Sequence, residues 1–201
     1  MKEISNAGTV FRRYGRMIVL LMGWPLFFAG TVKTVNTGTP GHVEPVPPDS
    51  FPVPAGNPNQ LFYLQRTPNV NTIVYELNYK EGSIDEKEPV HVFWIRYGEK
   101  GQRAELSYIQ EHFAYGIRAK QVAKDRFELR FASYKKYSVF LLRDAGGQYH
   151  VYASINQKIA MLSRIFISIH GGSFWSPNIE YVELKGIDPA TGNEVVERMK
   201  V

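Results

Sequence analysis

Beyond Pro58 the apolar side chains fall on every second position, and that period points to one fold class. Ile73, Tyr75, Leu77 and Tyr79 alternate with Thr72, Val74, Glu76 and Asn78. Phe127, Leu129 and Phe131 alternate with Arg126, Glu128 and Arg130. Successive side chains of a strand point to opposite faces, so each run buries one face and wets the other. Val90 to Tyr97 is apolar on both faces apart from His91 and Arg96, the pattern of a central or doubly covered strand.

Turn signals divide the rest. Lys124-Asp125, Lys135-Lys136 and Asp144-Ala-Gly-Gly147 separate expected strands near 116–123, 126–133, 137–143 and 148–155. A long apolar stretch, Ile159 to Ile169, is expected to bend or bulge in its middle. Asn178 to Gly186 and Glu194 to Met199 flank Asp188-Pro-Ala-Thr-Gly192, where proline sets φ and glycine permits a positive one. Strands at intervals of about ten residues, joined by tight turns, predict an all-β domain: an antiparallel meander forming a barrel or a sandwich. One short helix is expected over Arg103–Phe113, with Leu106, Ile109, Gln110 and Phe113 on one face and Gly116 just past its end. It would plug one opening of the sheet. Twelve Tyr, twelve Phe and three Trp suit strands, where flat side chains pack across a pleated surface.

The first 58 residues read differently. Arg12, Arg13 and Arg16 precede an uncharged run from Met17 to Gly30, and a basic segment before a short apolar one is the pattern of a secretory signal. The cleavage site is poorly formed, so residues 1–30 are either a signal peptide or a retained N-terminal anchor, though the run is short for a span of roughly 20 residues. Residues 31–58 hold seven of the twelve prolines and read as an extended, proline-rich linker. Its end, Phe51-Pro-Val-Pro54, offers Phe51 and Val53 for docking on the domain of residues 59–201. The expected location is outside the cytoplasmic membrane, periplasmic or secreted, with membrane attachment only through an uncleaved residue 17–30 segment.

Charge narrows the partners. The chain carries 24 basic and 19 acidic residues, a net +5. Residues 1–30 contribute Lys2, Arg12, Arg13 and Arg16 against Glu3, which leaves 20 basic and 18 acidic residues, or +2, for everything else. That is a solvated surface without the clustered basic stripe that phosphate binding needs, so no nucleic-acid partner is expected. The chain has no cysteine, which removes disulfides, thiolate catalysis and thiolate metal sites.

The string Ile169-His-Gly-Gly-Ser-Phe-Trp175 resembles the oxyanion-hole segment of α/β-hydrolases. No G-x-S-x-G elbow accompanies it, and no histidine follows His170. It therefore reads as a strand ending in a glycine turn. His42, His91, His112, His150 and His170 show no ligand spacing, so no metal and no cofactor are expected. Asp85-Glu-Lys-Glu88 reads as a solvated hairpin tip, lacking the spaced oxygens of a calcium loop. The aromatic surplus is the remaining feature, because tyrosine and tryptophan join apolar bodies to polar tips and favour binding surfaces. Strand packing accounts for many of them. Tyr75, Trp94, Tyr108, Tyr115, Tyr149 and Trp175 are the candidate ligand-binding residues.

Three segments resemble a known family. They are Phe51 to Asn78, Ala104-Glu-Leu-Ser-Tyr-Ile-Gln-Glu-His-Phe-Ala-Tyr-Gly116 and Tyr181-Val-Glu-Leu-Lys-Gly-Ile-Asp-Pro-Ala-Thr-Gly192. Together they are similar to the domain-of-unknown-function family numbered 4833, an uncharacterised family of exported bacterial proteins. The resemblance runs from Gln60 to Met199, implies no activity, and marks Arg66-Thr-Pro-Asn-Val-Asn71 as a characteristic turn. The expected function is that of a non-enzymatic envelope protein binding an unknown small molecule or a partner protein. The alternative is an envelope hydrolase whose carboxylates and histidines converge only in the fold, and His150 or His170 beside an acid in a cleft would mark it.

Overall fold

A computed structural model of the chain describes residues 47–172 and 176–200. The basic and apolar segment of residues 1–30 and most of the proline-rich linker lie outside the described residues. Among the described residues, no helix is long and apolar enough to cross a membrane.

Thirteen strands account for most of that chain: β1 (Gln60–Arg66), β2 (Asn69–Leu77), β3 (Tyr79–Lys80), β4 (Ser83–Ile84), β5 (Val90–Arg96), β6 (Gln102–Glu105), β7 (Ile117–Ala123), β8 (Arg126–Phe131), β9 (Ser138–Arg143), β10 (Tyr149–Ile155), β11 (Lys158–Gly172), β12 (Pro177–Ile187) and β13 (Glu194–Lys200). All but β3 and β4 belong to one sheet, in the order β6-β5-β2-β1-β11-β10-β9-β8-β7, with β12 and β13 continuing from the other edge of β11. The sheet curls into a half-barrel.

The expected meander holds from β7 to β13, where every consecutive pair is antiparallel. One pairing departs from it. β1 runs parallel to β11, with Tyr63 opposite Arg164 and Arg66 opposite Ile167. The cause is length. β10 pairs with β11 only from Lys158 to Met161, and the remaining edge of this fifteen-residue strand is left for β1 to fill. The bend expected in Ile159–Ile169 is a bulge at Ser163, where the register against β12 shifts between Leu162 and Arg164.

The helix expected over Arg103–Phe113 is corrected. Gln102–Glu105 is strand β6, paired with Phe93–Arg96 across a tight turn. The helical turn begins only at Tyr108 and continues as a π-helix over Gln110–Tyr115. The predicted apolar face is also wrong: Ile109 and Phe113 are 40% and 53% exposed, while Ala114 and Tyr115 are buried. Hairpin pairing to β5 overrides the high intrinsic helix propensity of Arg103-Ala-Glu-Leu106. Gly116 closes the turn because a Cβ there would run into the Glu111 carbonyl.

The concave face holds the core. Phe62 stacks on Tyr75 at 4.3 Å, and Phe131 sets its edge against both. Leu64, Ile73, Leu129, Val139, Leu141, Val151 and Ile155 complete it, which is the inward half of the alternation read above. On the convex face, residues 47–58 lie against β1, β11 and β12. Phe51 is buried edge-on against Phe166 at 5.2 Å, whereas Val53 is exposed. Gln65 Nε2 donates to the Pro52 carbonyl at 2.7 Å. Beneath this strap, buried Arg164 donates to Glu183 and Asp49, both at 2.9 Å, and Arg198 donates to the other Glu183 oxygen at 2.7 Å.

Candidate ligand-binding recess

Where β1 ends, β2 begins and β5 ends, a recess of about 550 Å³ is formed. Three local structures build it. The Arg66–Asn71 turn, which contains a cis Thr67–Pro68 bond, is anchored where Thr67 Oγ1 donates to the Ile169 carbonyl and accepts from the Ile169 amide. The β5–β6 hairpin contributes Trp94, Arg96 and Glu99. The segment entering the helical turn contributes Leu106, Ser107 and Gln110.

The polar groups of this recess are pinned from behind. Asn69 Oδ1 accepts from the Asn71 amide at 2.9 Å, and Asn71 Oδ1 accepts from the Gly98 amide at 2.8 Å. Gln110 Oε1 accepts from the Ser107 amide at 2.9 Å while Ser107 Oγ accepts from the Gln110 amide at 3.3 Å, the reciprocal exchange of a capping box. Each carboxamide oxygen is thus occupied, and the three NH₂ groups have no partner among the described residues. Arg66 Nε donates to the Tyr115 hydroxyl at 3.0 Å. The Tyr75 hydroxyl donates to the Tyr115 carbonyl at 2.8 Å, and the Trp94 and Tyr115 rings meet edge to face at 5.1 Å.

Of the aromatic candidates, Tyr75, Trp94 and Tyr115 therefore come together. Tyr75 and Tyr115 lie in the core, where burial pushes both phenols upward in pKa, and Trp94 lines the recess. Tyr108 is apart, exposed and stacked on His112 at 4.1 Å. Tyr149 lies in β10, donating to Asp125 Oδ1 at 2.7 Å; burial, then that bond, pushes its phenol up to about 12. Trp175 lies outside the described residues.

The histidines distribute as follows. The His150 Nε2 atom is 3.3 Å from Asp144 Oδ2, at the half-exposed start of the β9–β10 hairpin. His170 is exposed and has no carboxylate partner among the described residues. His91, which interrupts the apolar run of Val90 to Tyr97, has its Nδ1 3.0 Å from Glu76 and its Nε2 2.8 Å from Glu105. Arg103 and Asn57 donate to the same Glu76 carboxylate, each at 2.7 Å. Burial opposes ionisation of Glu76, but these donors outweigh it and hold the carboxyl below its ordinary range. Both ring nitrogens of His91 are engaged in these contacts. No group of metal-ligating side chains occurs among the described residues. The glycines read as a turn after His170 have φ values of +73° and +86° at Gly171 and Gly172, at the end of β11.

The model of a domain of unknown function, DUF4833, matches residues 62–198. The chain belongs to the DUF4833 family. The match spans β1 to β13 and so includes the whole recess, together with the Arg66–Asn71 turn. No curated protein and no solved structure matches the chain. Family membership brings no activity with it.

Proposed function

We propose that this DUF4833 chain is an exported envelope protein whose half-barrel binds a small polar molecule in the end recess without converting it. One observation carries the reading: Asn69, Asn71 and Gln110, whose carboxamide oxygens are held by backbone amides, line the same recess as Trp94. Donors held on a rigid scaffold cost little ordering entropy when a ligand meets them, which is how preorganised sites gain affinity. The sheet supplies that rigidity through β1, β2 and β5. Export is supported by the basic and apolar residues 1–30. The hydrolase alternative has His150 beside Asp144 at 3.3 Å, but of the two only Asp144 lines the neighbouring recess.

Native mass spectrometry of the chain purified from the exported fraction of its host tests the proposal. Excess mass that disappears on denaturation is the expected result. A bare mass, combined with accumulation of the chain in the cytoplasm, would contradict both halves of the reading.

A further inference from the structure

Two arginines and two glutamates line the recess, Arg66, Arg96, Glu99 and Glu105, but they are not all paired. Arg96 Nη1 is paired with Glu99 Oε1 at 3.1 Å, and Gln102 Nε2 donates to the other Glu99 oxygen at 2.6 Å. Glu105, on the far side, is held by His91 at 2.8 Å and faces Arg103 at 3.6 Å. Arg66 is different. It occupies the last position of β1, facing inward with Phe62 and Leu64, and only partly exposed. Its Nε bond to the Tyr115 hydroxyl fixes the guanidinium plane, and neither Nη has a hydrogen bond or a carboxylate partner among the described residues.

A half-buried guanidinium without a counter-ion is costly, because burial removes water that would solvate the charge. The fork it presents matches a planar two-oxygen anion. Flanking amide donors from Asn69, Asn71 and Gln110 supply further contacts to oxygen acceptors, and Trp94 and Leu106 offer apolar contact. Glu99 and Glu105 bound the same recess, so a ligand with several negative charges meets repulsion as well as attraction.

We infer that the end recess selects a small monocarboxylate, its carboxylate gripped by Arg66 and its acceptor or apolar body lying over Trp94. This rests on the recess being a ligand site, and the two ideas fail differently. The probes are benzoate and its neutral isostere benzamide, followed by saturation-transfer NMR against the full chain, with inorganic phosphate as a competitor. Wild type is expected to bind benzoate about tenfold or more tightly than benzamide, and R66Q to lose that preference, since a charge-assisted hydrogen bond is worth this much. R96Q, which removes an already paired arginine, should keep it.

In wild type, benzoate binding should also weaken between about 50 and 500 mM salt while benzamide binding does not; this needs no variant and stands even if R66Q does not fold. Equal binding of the two probes, insensitive to salt, would overturn the carboxylate inference and leave the recess as a neutral-ligand site. Benzoate binding that survives R66Q unchanged would place the anion elsewhere and overturn it too. Phosphate displacing benzoate at equal concentration would show a general anion site and overturn the monocarboxylate assignment. Binding of neither probe would overturn the inference and the ligand site together.

Discussion

Replacing Glu183 by glutamine removes the charge on which the convex face is organised. Glu183 and Arg164 are each only 5% exposed, and their carboxylate and guanidinium meet at 2.9 Å. Arg164 also keeps Asp49, whose side chain is 81% exposed, and its Nε is buried with no hydrogen-bond partner among the described residues. Removing one member of a buried ion pair leaves the other desolvated and costs about 3–5 kcal/mol. Asp49 retains some compensation, so Glu183→Gln is expected at the lower end, about 3 kcal/mol. For a domain of this size that corresponds to a fall in Tm of roughly 10 °C.

The double variant Arg164→Met with Glu183→Leu should behave differently. It removes both charges together, and Arg198, more than half exposed, can turn to water. It is expected within about 1 kcal/mol of wild type, because an apolar pair of similar volume often replaces a buried ion pair at little cost. Thermal and urea denaturation followed by far-ultraviolet circular dichroism would measure the cycle. A single variant within about 2 °C of wild type, or a double variant as unstable as the sum of its parts, would refute the reasoning.

Three further outcomes are expected. Phe51→Ala should raise amide hydrogen exchange in residues 48–54 while β1 and β11 stay protected, since Phe51 packs on Phe166 and Tyr181 at a strap that can lift alone; global loss of protection would contradict the strap's separateness. Acid should destabilise the domain through Glu76: its carboxyl ionises below 4.5 in the fold, so its contribution is present above pH 4.5 and lost as pH falls through the folded value. Glu76→Gln should flatten that part of the Tm–pH curve, and an unchanged slope would count against the His91–Glu76–Arg103 arrangement. Tyr149 should ionise near pH 12 rather than 10; because burial and Asp125 favour the neutral phenol, its stabilisation is complete below pH 10 and fades as pH rises towards 12. Tyr149→Phe should delete a late step from the phenolate absorbance titration, and loss of an early step instead would be a contrary result.

The alternation beyond Pro58 was enough to place most strands, because burial on one face imposes a period of two however the sheet closes. The Ser163 bulge was legible for a related reason: the apolar run was longer than a flat strand of its neighbours could match. The parallel β1–β11 pairing was not, since it joins residues about a hundred positions apart and leaves no local signature. The start of the helical turn does carry a local signal. Ser107-Tyr-Ile-Gln110 fits a capping box and puts the N-terminus at Ser107, but the helix-like period that runs from Arg103 masks it. The aromatic surplus divided. Tyr75 and Tyr115 became core with their hydroxyls satisfied internally, and Trp94 reached the recess. Arg66, Asn69 and Asn71 were visible only as a characteristic turn, because what matters at each is which oxygen or nitrogen the fold occupies. His91 would have required the register of β2 on β5, where Glu76 lies opposite it.

The account turns on the end recess being where a ligand sits. Hydrogen exchange of the full chain with and without saturating benzoate tests that most directly. Added protection confined to Arg66–Asn71, Trp94–Glu99 and Ser107–Gln110 is the predicted result, whereas protection elsewhere on the sheet, or none at all, would contradict it.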